Sequence, residues 1–252
     1  IAAGVLAGVL ALGGRIHTPT LREAWRMGCC GALLAVHWVL FYGSIKAANV
    51  SVGVVCFALN GFFTALLEPM ASGKRFSLRD LLLGLITLGG IVLIFGLNMQ
   101  FRTGIVIGTF SSLFYTLFAI ASKRVQSATG VESSAMLLYE LLTGWCVLSL
   151  AMPFYAMLYP SVSLMPEGSD WLFITLFASV FTIGPFLTQL QALRTLSAFT
   201  VNLSYNLEPL YSIALAMLLF NEAQELNLSF WMGVSMIVAA VGYHAMCRKD
   251  GE

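Results

Sequence analysis

Long apolar stretches alternate along the chain with short breaks that contain charged residues, proline or glycine. A helix needs about 20 mostly apolar residues to cross the hydrocarbon core of a bilayer. On that scale the pattern predicts nine spans, the first of them shortened; the alternative is that one segment is re-entrant. The spans are residues 1–14, 27–45, 48–71, 81–97, 104–122, 133–158, 171–193, 197–220 and 229–247.

The composition agrees with a membrane location. Of the 252 residues, 59% are hydrophobic and only 10% are charged, and the mean hydropathy is +0.87. An ordinary soluble domain carries about 25% charged residues, so this chain has too few charges to cover a water-facing surface. The net charge of +1 gives no basic field for nucleic acid. We therefore predict an all-α integral membrane protein with the lipid bilayer as its main partner.

The basic residues predict the orientation, because Lys and Arg accumulate on cytoplasmic loops. Eleven of them lie on one side of the predicted spans, and only Lys46 and Arg102 lie on the other. The eleven are Arg15, Arg22, Arg26, Lys74, Arg75, Arg79, Lys123, Arg124, Arg194, Arg248 and Lys249. The C-terminus is therefore predicted to be cytoplasmic. We expect a multi-pass protein of the plasma membrane, the inner membrane of a bacterium, that lacks its native N-terminus.

Two distant stretches of the chain resemble each other. Residues 44–49 and 192–198 each place one basic residue at a tight turn, followed by small and polar residues that open the next helix. The copies are five predicted helices apart, and five is odd, so they would cross the membrane in opposite senses. Such an inverted repeat is the architecture of many secondary transporters. The alternative is a chance similarity between leucine-rich helices.

Three motifs connect the chain to a known family: ALRTLSA at residues 192–198, NLSYNLEP at 202–209 and FFTALLEP at 62–69. With them, the sequence resembles the EamA-type branch of the drug/metabolite transporter superfamily. The resemblance implies ten helices in two inverted five-helix repeats, of which nine are present here. The first repeat, N-terminally truncated, would be residues 1–98 and the second 103–247. It also implies a permease that moves amino acids, related metabolites or drugs, often outward.

Glu208 is the strongest candidate for a site residue. A carboxylate at mid-membrane costs about 2.5–3.5 kcal/mol on insertion scales, and Pro209, the next residue, frees a backbone carbonyl one turn back. We expect Glu208 to bind substrate or couple protons; the alternative is a hydrogen-bond network that fixes helix packing. The neighbours expected to act with it are Asn202, Tyr205, Asn206 and Tyr211.

Other polar residues inside the spans form a second group of candidates. Glu140 could face the same cavity or serve helix packing. Glu68 lies nearer the cytoplasmic end of its span, and we expect it to snorkel toward Lys74 and Arg75. His37 could relay protons or be a packed, hydrogen-bonded residue. The remaining candidates for the cavity wall are Trp38, Asn60, Tyr115 and Gln189.

The absence of basic residues deep in the predicted spans limits the class of substrate. No Lys or Arg lies deep in any predicted span, and a carrier of phosphate esters would offer basic groups to its anion. We therefore expect a small neutral, zwitterionic or cationic metabolite, with no cofactor, metal or catalytic residue. The five cysteines form no CxxC pair, which favours buried apolar roles.

The competing function is a membrane-embedded enzyme. Such an enzyme usually groups His, Asp, Glu, Ser or Lys side chains at one depth, whereas His17, His37 and His244 fall in a loop, at mid-membrane and near the C-terminus. A channel would need a continuous polar stripe or a pore loop, and the sequence contains neither. Transport therefore remains the favoured function.

Overall fold

A computed structural model describes residues 1–14, 18–48, 50–73, 75–95, 102–160, 165–205, 207–208, 211 and 228–248. Within these ranges the regular structure is entirely helical. The helices are α1 Ala2–Leu12, α2 Leu21–Ala47, α3 Val50–Phe57, α4 Leu59–Ser72, α5 Leu78–Phe95, α6 Arg102–Thr129, α7 Ser133–Leu158, α8 Asp170–Leu176, a π-helical segment Phe177–Ile183, α9 Gly184–Thr195, α10 Ala198–Tyr205 and α11 Leu228–Arg248.

Five helical stretches in the described part of the chain are long and apolar enough to cross a membrane. They are Leu21–Ala47, Val52–Ser72, Arg102–Thr129, Ser133–Leu158 and Asp170–Thr195. Two shorter apolar helices are Ala2–Leu12 and Trp231–His244. The chain is therefore an all-helical, multi-pass integral membrane protein, as the hydropathy pattern predicted. The count of nine spans stays a prediction, and half of the predicted span 197–220 lies outside the described residues.

The helix α2 begins before the predicted span, and a capping box explains why. The backbone N–H and the hydroxyl of Thr20 both donate to Glu23 Oε2 at 2.9 Å, and the Glu23 N–H donates to Thr20 Oγ1 at 3.4 Å. These reciprocal bonds satisfy backbone donors that the first turn of a helix leaves free. The helix therefore starts at Leu21, six residues ahead of the apolar run predicted to begin at 27.

A π-helical segment interrupts the helical stretch Asp170–Thr195. Pro185 has no N–H to donate to the carbonyl one turn back, and the residues before it, Phe177–Ile183, adopt a π-helical conformation. The Thr182 hydroxyl donates to the Phe177 carbonyl at 3.2 Å within this segment. The wider turn allows the chain to continue as a helix through the Gly184–Pro185 pair.

The chain divides into two compact units. The first contains Ile1–Ala35 and Ala121–Thr195, in which α1 and α9 each pack on α7. The beginning of α2 approaches α7 closely at glycine: a Cβ on Gly31 would lie 2.8 Å from the Glu140 Cα, and a Cβ on Gly28 would lie 3.3 Å from the Thr143 hydroxyl. Glycine at these positions lets the two backbones come together.

The second unit contains Val36–Ile120 and Leu196–Glu252. Its helix α5 packs along α11 and α4, and α4 also packs on α10. A Cβ on Gly90 would lie 2.7 Å from the Gly233 carbonyl oxygen, so the small residues let α5 and α11 touch backbone to backbone. The two units are sets of residues that contact each other, whereas the two repeats were predicted from similar stretches of sequence. The repeat boundaries at 1–98 and 103–247 therefore stay a prediction.

Candidate functional site

The candidate residues are distributed over both units. Glu140 and Gln189 belong to the first unit, and Asn206 lies outside the described residues. The second unit holds His37, Trp38, Asn60, Tyr115, Asn202, Tyr205, Glu208 and Tyr211.

An aromatic cluster of His37, Phe57, Tyr115 and Tyr205 lies in the second unit. The His37 ring centroid is 4.9 Å from that of Tyr115 and 5.4 Å from that of Phe57. Tyr115 is 4.7 Å from Phe57 and 6.0 Å from Tyr205. Tilted and edge-on pairs at these distances are favourable for aromatic rings. The cluster unites side chains from α2, α3, α6 and α10, and three of its four members were predicted from sequence.

His37 is anchored within this cluster by Ser111. The His37 Nδ1 lies 3.0 Å from the Ser111 carbonyl oxygen, and the Ser111 hydroxyl lies 2.9 Å from Nδ1 and 3.2 Å from the His37 carbonyl oxygen. With a proton on Nδ1, the ring donates to the Ser111 carbonyl and the hydroxyl donates to the His37 carbonyl. His37 is only 4% exposed. This geometry matches the packed, hydrogen-bonded alternative, and a proton-relay role stays a prediction.

A ladder of polar contacts joins α4 to α10. The Glu68 carboxylate accepts hydrogen bonds from the backbone N–H groups of Ala198 at 3.2 Å and Phe199 at 2.7 Å. One turn along, the Asn202 amide donates to the Thr64 hydroxyl at 2.7 Å. We call these contacts the α4–α10 ladder. Glu68 is buried, so the expectation that it snorkels toward Lys74 and Arg75 was wrong: its carboxylate binds a helix N-terminus.

Two buried amide side chains, those of Asn60 and Asn202, have polar atoms that no described residue hydrogen-bonds. Asn60 is fully buried, and among the described residues neither its Oδ1 nor its Nδ2 has a hydrogen-bond partner. The Asn202 Oδ1 is likewise buried without a partner in the described part of the chain. Buried amide groups without partners are uncommon, because each costs about 1–3 kcal/mol. Asn60 and Asn202 can therefore pair with the polar groups of a ligand.

The end of α10 and the described residues Glu208 and Tyr211 are more open. Tyr205 and Glu208 are half-buried and lie three residues apart in the chain. Trp38 is also half-buried, whereas Tyr211 is 66% exposed. Tyr205 and Glu208 are thus partly enclosed, whereas the Tyr211 side chain lies at the surface of the unit.

Glu140 occupies the interior of the first unit. It is completely buried; its Oε1 accepts a hydrogen bond from the Ser122 hydroxyl at 2.7 Å, while its Oε2 has no partner among the described residues. Gln189 is also buried in this unit, and its Nε2 lacks a partner in the described ranges.

Phe57 and Ser122 are the residues that sequence reasoning missed. Phe57 is one of eighteen phenylalanines, so no local signal distinguishes it. Ser122 stood at the end of a predicted span, eighteen residues before Glu140. Only the reversal of the chain between α6 and α7 brings its hydroxyl to the Glu140 carboxylate. Within the described ranges, no group of three or more His, Cys, Asp or Glu side chains is placed to hold a metal ion.

Comparison with known proteins gives three results. No curated protein sequence matches the chain. A solved structure titled "Crystal structure of protein" shares 17% sequence identity with this chain. The match covers 100% of this chain and 86% of the solved chain, and its TM-score of 0.72 shows a common fold. The model of the EamA-like transporter family matches residues 102–243, more than half of the chain. The predicted resemblance is confirmed, and the chain belongs to the EamA-like transporter family.

Proposed function

We propose that this protein is a secondary transporter that moves a small neutral, zwitterionic or cationic metabolite outward across the plasma membrane by alternating access. The substrate would be an amino acid, a related compound or a drug. The observation that carries this proposal is the set of buried polar and aromatic side chains in the second unit, with unpartnered amide atoms on Asn60 and Asn202. Membership of a transporter family supplies the mechanism class.

The proposed frame is two inverted five-helix repeats, residues 1–98 and 103–247, with nine of ten helices and a cytoplasmic C-terminus. Packing in the second unit supports it. The helices that the sequence repeat equates contact each other, α4 with α10 and α5 with α11. A pseudo-twofold axis that relates two repeats brings equivalent helices together in this way.

The character of the substrate follows from the side chains near the proposed site. Aromatic faces attract cations and apolar groups, and amides offer both donors and acceptors. The predicted spans contain no deep Lys or Arg, which disfavours phosphate esters. A compound with an apolar body and a neutral, zwitterionic or cationic head therefore fits best.

Release of radiolabelled compounds from proteoliposomes tests the proposal. Vesicles that contain the purified full chain are loaded with individual amino acids or small organic amines, and efflux is compared with that from protein-free vesicles. Faster release of at least one compound supports the proposal. Identical release of every compound from the two kinds of vesicle would contradict it.

Glu208 is the proposed coupling residue, because it is a half-buried carboxylate three residues after Tyr205, just beyond the end of α10. We predict that Glu208→Gln lowers the flux by about tenfold or more at normal expression, since the amide cannot exchange a proton. The matched control is Glu132→Gln, which changes an exposed carboxylate. Wild-type flux should also respond to an imposed pH gradient. Unchanged flux in Glu208→Gln, or wild-type rates that ignore the gradient, would remove proton coupling at this residue.

A further inference from the structure

The N-terminus of α10 is buried, and side chains accept hydrogen bonds from the N–H groups of its first three residues. The first turn of a helix leaves its N–H groups without intrahelical partners, and a buried N–H group without an acceptor costs free energy. Here the Thr200 N–H donates to the Ser197 hydroxyl at 3.0 Å, and the Val201 N–H makes the first ordinary helical bond, to the Ser197 carbonyl at 3.2 Å. The two remaining donors belong to Ala198 and Phe199.

Glu68 supplies the acceptors for these two donors from another helix. Its Oε1 accepts from Ala198 and its Oε2 from Phe199, so each carboxylate oxygen binds one N–H. Ala198 is fully buried and Phe199 nearly so. Charge-assisted hydrogen bonds are about twice as strong as neutral ones, and the positive end of the helix dipole adds further attraction. The carboxylate therefore holds the start of α10 against α4.

The register of α10 connects this contact with the proposed substrate site. Residues four and seven positions apart lie on one face of a helix. Ala198, Asn202 and Tyr205 have this spacing, and the Asn202 amide contacts Thr64, one turn before Glu68 on α4. The position and rotation of α10 set where the Asn202 and Tyr205 side chains point.

We propose that Glu68 is a positioning residue for transport: it orients α10 so that Asn202 and Tyr205 present their side chains to the substrate. Glu68 itself does not contact the substrate in this proposal. The inference rests on the proposed function, because it assigns Asn202 and Tyr205 to the substrate site. It also explains why a carboxylate stands in the membrane without being part of the transport chemistry.

Hydrogen exchange tests the positioning directly. We compare wild type with Glu68→Gln, which keeps one acceptor oxygen, and with Glu68→Ala, which keeps none. Peptides that cover Ala198–Tyr205 should exchange faster in Glu68→Gln and faster still in Glu68→Ala, while peptides from the middle of α6 should exchange as in wild type. The matched control Glu132→Gln should leave both regions unchanged. Wild-type exchange of Ala198–Tyr205 in Glu68→Ala would overturn the proposal.

Transport kinetics separate positioning from mere structural support. The probe is the radiolabelled amino acid that wild-type proteoliposomes release fastest. We expect Glu68→Gln to raise the apparent KM by about tenfold and to change the maximal rate less than about twofold, the signature of weakened substrate binding. A lower maximal rate at an unchanged KM would indicate a lower content of folded protein and would overturn the proposal.

The two measurements also separate this inference from the proposed function. A wild-type protein that moves no probe contradicts transport, and hydrogen exchange then decides alone whether Glu68 orders the Asn202–Tyr205 segment. A wild-type protein that transports normally, together with a Glu68→Gln variant of unchanged KM, leaves the transporter proposal intact and removes the role of Glu68.

Discussion

Glu68 and Glu140 are two buried acidic side chains, one in each unit, and their surroundings differ. Both oxygens of Glu68 accept backbone N–H groups from the beginning of α10. Glu140 has one oxygen bonded to the Ser122 hydroxyl and one without a partner. Glu68 therefore serves as a fixed contact between helices, whereas Glu140 keeps the capacity to accept another hydrogen bond.

The difference shows that residue type and depth alone do not define a functional carboxylate. A carboxylate whose acceptor sites are filled by backbone donors holds a helix in place. One with a free oxygen in a buried site can still bind a proton or a polar group. The following substitutions change the surroundings of one carboxylate and leave those of the other intact.

The largest effect is expected from Gly31→Ala. The new Cβ would lie 2.8 Å from the Glu140 Cα and 2.9 Å from its carbonyl carbon, so α2 and α7 would have to separate. Overpacking of this kind costs about 3 kcal/mol when backbone atoms are in the way. We expect a clear fall in the thermal midpoint, measured by fluorescence-detected size exclusion in detergent.

Gly8→Ala is the matched control for this prediction. It also lies in a helix of the first unit, but nothing lies within 4 Å of its added Cβ. Both substitutions raise helix propensity equally, so the difference between their midpoints reports the contact with Glu140. Equal midpoints for the two variants would mean that α2 and α7 do not approach each other as described.

A smaller effect is expected from Ser122→Ala, which removes the hydrogen-bond partner of Glu140 Oε1. A buried acceptor left unpaired costs about 1–3 kcal/mol. Glu140→Gln should be milder, because the amide oxygen still accepts the Ser122 hydroxyl. The control is Ser179→Ala, whose hydroxyl only bonds the Thr175 carbonyl one turn back. If Ser122→Ala and Ser179→Ala unfold at the same temperature, the Ser122 bond contributes nothing.

The smallest effect is expected from the second rung of the α4–α10 ladder. A double-mutant cycle of Thr64→Val and Asn202→Ala should give a coupling free energy of about 1 kcal/mol, typical of one neutral buried hydrogen bond. Thermal or denaturant unfolding of the four proteins measures it. Strict additivity of the two substitutions would show that the Thr64–Asn202 hydrogen bond contributes nothing to the packing of α4 on α10.

Several features of the fold were readable from the sequence, because they depend on local composition. The apolar length of residues 133–158 predicted α7 with the same bounds that the structure shows. The long apolar stretches predicted a membrane protein built of helices, and the described helices confirm it. The start of α2 was predicted late, since the capping box at Thr20 lies in a polar stretch that a search for apolar runs ignores.

The hydrogen-bond partners of the polar side chains could not be predicted from local composition. Glu68 was assigned to nearby basic residues, but its actual partners lie 130 and 131 positions away in the chain. The apolar length that makes a helix span the membrane is a property of a single segment. Which face of that helix meets which neighbour depends on the rotation and register of two packed helices, and these are set by contacts such as that of Gly31 with α7. The amino-acid sequence therefore determined the membrane-spanning character and the family, and helix packing decided that Glu68 binds the start of α10.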